Sequence, residues 1–182
     1  MGMPARQTMW TAEMVRALPD DGKRYEVLDG VLVVSPAPSR QHQRAVRMLL
    51  LILDEYCRRH SLGEALASPA DIEFSEHHLL QPDVFVVPTI GNSWAEIKTL
   101  LLAVEVLSPS TERVDRHDKR PTHQRYKVPE YWIVDLDART FERWRPDDTR
   151  PEVLLHVMSW QPRDGIPPLE IRLPEFFDAA LR

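Results

Sequence analysis

The clearest pattern along the chain is a helical one. Over about 40–60, apolar residues recur at Val46, Leu49, Leu50, Leu53 and Cys57, and side chains three and four apart form one stripe on a helix. Ser39 stands where an N-cap is wanted, and Gly63 closes the segment. Upstream, TAEMVRALP predicts a short helix capped by Thr11 and stopped by Pro19. RYEVLDGVLVVSP breaks at Asp29-Gly30, a dipeptide suited to a tight hairpin turn, and predicts two short strands. Strands are also predicted over 70–74, 83–87 and 101–107; the last two contain the apolar runs VFVV and LLAVEVL. A charged helix follows over about 113–127, with Ser110 or Thr111 as its cap. Pro121 must either kink it or open a second helix. EYWIVD and TFERWR form a hairpin across 136–139, weaker strands fall near 152–157 and 169–173, and LPEFFDAAL predicts a terminal helix. Interleaved strands and helices define an α/β or α+β class with a mixed central sheet flanked by helices.

With 182 residues the chain suits one domain with a real core, residues 1–7 forming a flexible N-terminus. No apolar run approaches the roughly 18 residues of a membrane span. MGMPARQTMW lacks the apolar stretch of a secretory signal, so a cytoplasmic protein is expected. The single cysteine, Cys57, lies in the helical stripe and reads as a small buried residue. The net charge of -5 argues mildly against a nucleic-acid partner. The charge is uneven, however: segments 40–59 and 112–127 each carry an excess of three positive charges, which leaves room for a basic face.

Glu105 interrupts LLAVEVL, and strand alternation groups it with Leu101, Ala103 and Leu107 on one face. An unpaired buried carboxylate costs several kcal/mol, so Glu105 must be protonated, paired with a cation or bound to metal. Asp83 opens the neighbouring strand after Pro82. Two carboxylates on adjacent strands converge, and a hard cation relieves their repulsion. Oxygen donors suit Mg²⁺ or Mn²⁺; no Cys/His cluster has zinc-ligand spacing. Glu26 is either a third member or an edge-strand surface acid, and His42 either an accessory group or a local hydrogen-bonder at a helix start. Lys119 is the cationic candidate, Arg116 and Arg120 are phosphate-binding candidates, and Asp135 has a turn or capping role. Tyr131 and Trp132 read as core aromatics, and His77 and His78 as a polar loop.

Taken together, RYEVLDGVLVVSPAPSRQHQ, QPDVFVVP, LLAVEVLSPSTERVDRHDKR and RYKVPEYWIVD resemble the Uma-type putative restriction endonucleases, a domain family of unknown function in the PD-(D/E)XK nuclease superfamily. The resemblance covers about residues 8–177. It implies a restriction-endonuclease-like mixed sheet flanked by helices and metal-dependent hydrolysis of phosphodiesters. Pro82-Asp83 corresponds to the PD of the superfamily motif, Glu105 to its second acid, Glu26 to an upstream glutamate, and His42 to a position where the family often has histidine. The lysine expected two residues after the second acid is replaced by Leu107, and Lys119 in the following helix stands in for it.

The expected function is a Mg²⁺- or Mn²⁺-dependent DNA endonuclease. Asp83, Glu105 and Glu26 hold metal in it, Lys119 assists the attacking water, and a homodimer suits the cutting of two strands. The missing lysine and acidic net charge favour instead an idle DNA-binding or protein-interaction module. Hydrolysis of another phosphoester is a third reading.

Overall fold

Asp29 and Gly30 both adopt positive φ (48° and 76°), the geometry of a two-residue hairpin, and so fix where the first sheet turns. The computed structural model describes residues 8–88 and 93–182; the segment 1–7, expected to be flexible, lies outside the described residues. Helix α1 (Ala12–Arg16) is capped as expected, Thr11 Oγ1 accepting from the Met14 N–H. Strands β1 (Arg24–Leu28) and β2 (Val31–Ser35) pair antiparallel across the turn. Helix α2 (Arg40–His60) starts on the predicted Ser39 cap and ends at Ser61 in the left-handed conformation.

Next come β3 (Glu64–Ala67), β4 (Ile72–Ser75), β5 (His78–Leu80), β6 (Val84–Val87) and β7 (Leu102–Val106). The charged segment is α3 (Glu112–Val114), a π-helical turn (Asp115–Lys119) and α4 (Arg120–Arg125). Pro121 thus sits in the first turn of a second segment, where its missing N–H costs nothing. Thr111 occupies the N-cap position, but its hydroxyl accepts from Ser108 N–H instead of capping the helix. Strands β8 (Tyr131–Asp135) and β9 (Thr140–Trp144) form the predicted hairpin; β10 (Glu152–Leu154), β11 (Val157–Trp160), β12 (Leu169–Arg172) and α5 (Leu173–Leu181) complete the chain.

The strands make a six-stranded sheet in the order β10-β9-β8-β7-β6-β3, a four-stranded sheet β2-β1-β5-β4, and the pair β11-β12. The β7–β8 pairing is parallel, bridged by the α3–α4 crossover, and the other pairings are antiparallel. The mixed, helix-flanked sheet is therefore as expected. On one face of the large sheet, Val84, Val104, Val106 and Trp132 pack beneath Leu49, Leu53 and Cys57 of α2 and Phe176 and Phe177 of α5. Full burial of each such aliphatic side chain contributes about 1.5–3 kcal/mol. On the other face, Phe85, Ala103, Tyr131 and Ile133 form a second cluster with Ile72 and Val128. Glu105 lies on that second face, as alternation with Ala103 requires.

One expectation is corrected. His78 is no loop residue: it opens β5, is buried, and contacts Ser75 Oγ (2.9 Å), Tyr126 Oη (3.1 Å) and Asp29 Oδ1 (3.1 Å). Its polar neighbours satisfy the ring inside the small sheet, which a period-2 reading of a three-residue strand cannot reveal.

Gly63 has φ 131°, and a Cβ there would stand 1.9 Å from the Val87 carbonyl oxygen. Gly63→Ala is expected to cost about 1–3 kcal/mol through backbone strain and the β3–β6 pairing. Thermal or urea unfolding measures it, and an unchanged midpoint contradicts the close approach.

Candidate active site

The β6–β7 register pairs Val84 with Val104, so the next pair outward is Asp83 opposite Glu105. Cross-strand neighbours share a face, and the two acids therefore meet at one end of the sheet. Both are buried, as is Glu26. The alternative of an edge-strand surface acid for Glu26 is ruled out, because its side chain is fully buried and β1 is flanked on both sides, by β2 and β5. Its Oε1 accepts the Gln81 N–H at 2.8 Å.

Lys119 is drawn into this cluster by the π-helical turn and is 1% exposed, a burial that an ammonium tolerates only among counter-charges. Its Nζ stands 2.9 Å from Glu26 Oε2, 3.1 Å from Glu105 Oε1 and 3.3 Å from Asp115 Oδ1. The group has three N–H donors, and three carboxylates surround it. Asp83 is held separately. Its Oδ2 accepts the Val106 N–H at 2.9 Å and lies 3.0 Å from His42 Nε2, while its Oδ1 accepts from Arg24 Nη1 at 2.7 Å.

Burial pulls the Lys119 pKa down, but Glu105, Glu26 and Asp115 outweigh it and hold the ammonium charged, well above its ordinary value. Burial raises Glu105 well above the usual carboxylate range, against the opposing pull of Lys119; Asp115 is raised for the same reason. Asp83 goes the other way. Burial would raise it, but His42, Arg24 and Lys119 together keep it below that range. Glu105 and Asp115 thus hold protons readily, and Asp83 stays ionised.

The expected residues Glu26, Asp83, Glu105, Lys119 and His42 are brought together. Arg116 and Arg120 are not part of the cluster. Arg116 binds Glu112, Asp135 and Glu142, and Arg120 bonds Gln124 and lies 4.6 Å over the Trp144 ring. Asp135 does turn the chain, Oδ1 accepting the N–H groups of Asp137 and Ala138. Three members escaped the sequence reading: Arg24, Gln81 and Asp115. A signal existed for two of them. Asp115 precedes Lys119 by four residues, hence the same helix face. Arg24 precedes Glu26 by two, hence the same strand face.

Four carboxylates, Glu26, Asp83, Glu105 and Asp115, face two permanent cations, Lys119 and Arg24. Ionisation of Glu105 and Asp115 as well would leave two negative charges in excess, and that excess together with the all-oxygen donor set fits a hard divalent cation in place of the two protons. The fit is one of charge and donor type. Among the described residues, no three His, Cys, Asp or Glu side chains stand as a preformed metal cage.

Comparison with known proteins puts this cluster in context. No curated protein matches the chain. A solved structure described as "a putative nuclease belonging to DUF820", from Anabaena variabilis, superposes with a TM-score of 0.75, covering 93% of this chain and 98% of that one at 17% sequence identity. The chain therefore has that nuclease's fold. Residues 12–174 match the Uma2 family, described as "Putative restriction endonuclease", and that span takes in Arg24, Glu26, His42, Asp83, Glu105, Asp115 and Lys119. The buried charge cluster thus lies within the matched span, and the chain belongs to the Uma2 family.

Proposed function

We propose that the chain is a Mg²⁺- or Mn²⁺-dependent DNA endonuclease that hydrolyses phosphodiester bonds beside the Asp83–Glu105 pair. One observation carries the reading: four carboxyl groups are buried together at a sheet end and, among the described residues, two permanent cations face them, so ionisation of all four calls for a further divalent charge. Asp83, Glu105 and Glu26 would hold the ion. Bound there, it supplies an activated water and neutralises charge at the scissile phosphate. The chain's own residues do the rest. The Val106 N–H and His42 fix the Asp83 carboxylate. Glu26, itself fixed by Gln81, adds a ligand or orients water. Lys119 provides positive charge next to both acids. Arg40 and Arg47, exposed on α2, would meet the DNA backbone, whereas Arg58 and Arg59 are paired with Asp54 and Glu55.

Asp83→Asn and Glu105→Gln preserve shape while removing charge. Each is expected to weaken Mn²⁺ binding about 100-fold, by analogy with lost ligands and their supports, and to abolish plasmid nicking. Calorimetry and a cleavage assay measure the two effects. Wild-type Mn²⁺ affinity in both variants sinks the reading.

A specific observation favours a second reading: the cluster carries its own counter-charges, with Lys119 Nζ within 3.3 Å of three carboxylates and Asp83 partnered on both oxygens. An idle DNA-binding or protein-interaction module needs no more. It predicts salt-sensitive DNA binding with no metal-dependent cutting. A panel of plasmid, single-stranded DNA, RNA and small nucleotides with each metal separates both readings from hydrolysis of another phosphoester.

A further inference from the structure

Arg24 is unlike the other cation of the cluster. Lys119 is sealed in, whereas the Arg24 side chain is 20% exposed. Arg24 lines two adjoining hollows, of about 460 and about 200 Å³, which lie along the loop 36–38 and share His42 as a second wall residue. Only its Nη1 is engaged among the described residues, with Asp83 Oδ1 at 2.7 Å and the Gln81 carbonyl at 3.4 Å. Nε and Nη2 of the guanidinium fork are left as open donors. His42 adds an independent sign. It is only 5% exposed and its Nε2 faces Asp83, yet its Nδ1 has no hydrogen-bond partner. Buried ring nitrogens are normally satisfied, so an orphan in a groove wall calls for a ligand. The loop Ser108–Thr111 closes the smaller hollow and contributes hydroxyls.

We propose that Arg24 and His42 form a phosphate seat beside Asp83, in which Arg24 grips non-bridging oxygens of a substrate phosphodiester with the free part of its fork. A planar fork of donors matches a phosphate bidentately, which a sealed ammonium cannot do. The same Arg24 nitrogen donates to Asp83 Oδ1, so a cation held by Asp83 would compete with it for that oxygen. The seat also supplies what Arg116 and Arg120, tied to their own partners, do not. This inference rests on the nuclease reading and names the residues that receive its substrate.

The test uses the full chain, a fluorescent DNA duplex and Ca²⁺ to hold the charge balance, with affinity measured over a salt series. Arg24→Gln is expected to weaken duplex binding about tenfold and to lower the salt slope by about one, the signature of one lost phosphate contact. Arg24→Lys keeps the slope with intermediate affinity, and His42→Gln lowers affinity less. A merely structural role moves the melting temperature and leaves the slope alone. Mn²⁺ titration without DNA supplies a second readout: Arg24→Gln is expected to bind Mn²⁺ several-fold more tightly than wild type, because its competitor for Asp83 is gone. Wild-type duplex affinity and slope in Arg24→Gln overturn this inference alone. An Arg24-dependent slope in a chain that binds no Mn²⁺ supports the seat and overturns the metal reading. Absence of duplex binding by the wild-type chain overturns both.

Discussion

Lys119→Met is expected to destabilise the metal-free chain by about 3–5 kcal/mol at pH 7.5, the typical cost of removing one partner from a buried ionic group. Methionine fills most of the volume, so the loss comes from charge. Glu26, Glu105 and Asp115 would be left close together with no ammonium among them. Their remaining escape is protonation, and this gives the variant a distinctive pH dependence. Burial already raises Glu105 and Asp115 in the wild-type chain, with Lys119 opposing. A carboxyl whose folded pKa lies above its unfolded value of about 4.3 holds its proton more tightly when folded. Its contribution is full below the unfolded pKa and is lost as pH rises through the folded one. Without Lys119 the folded values climb further. The deficit of the variant is therefore largest at pH 7.5 and shrinks towards pH 5. Urea unfolding in chelator at both pH values measures it. A deficit that is equal at both, or absent at pH 7.5, shows that Lys119 does not neutralise the cluster.

The elements whose signals are local were legible in the sequence. The α2 stripe and its Ser39 cap, the Asp29-Gly30 hairpin, the β8–β9 hairpin and the terminal helix all depend on residues a few positions apart. Asp83 and Glu105 were legible because a charge inside an apolar strand is anomalous on its own. What escaped depends on tertiary pairing. β5 is three residues long, and only its position between β1 and β4 makes it a strand and buries His78. Arg116 looked like a free cation in a charged helix until Asp135 and Glu142, from the next hairpin, arrived beside it. Arg24 shares a strand face with Glu26, but its meaning comes from Asp83, 59 residues away. The family resemblance gave Lys119 a role as the displaced lysine. The π-helical turn supplies the physical reason that it reaches back to Glu105 across 14 residues.

The same turn has a consequence one helical step further on. His123 is fully buried, stacked on Tyr131 at 4.7 Å and edge-on to Phe74 at 5.8 Å, and neither ring nitrogen has a hydrogen-bond partner. Burial, helped by the nearby charge of Lys119, lowers its pKa from 6.5 to about 3. Below pH 6.5 the unfolded chain takes up a proton that the folded ring refuses. Stability therefore falls as pH drops, by about 1.4 kcal/mol per unit, until the folded pKa is reached. His123→Phe keeps both ring contacts and removes the proton site. It is expected to lie within about 1 kcal/mol of wild type at pH 7.5 and to be more stable than wild type by about 3 kcal/mol at pH 4.5. Glu105 and Asp115 respond to acid in the opposite sense, but they are present in both proteins and cancel in the difference. Paired urea titrations at the two pH values isolate the histidine. A constant offset between the proteins shows that His123 either protonates freely in the fold or is not buried as a neutral ring.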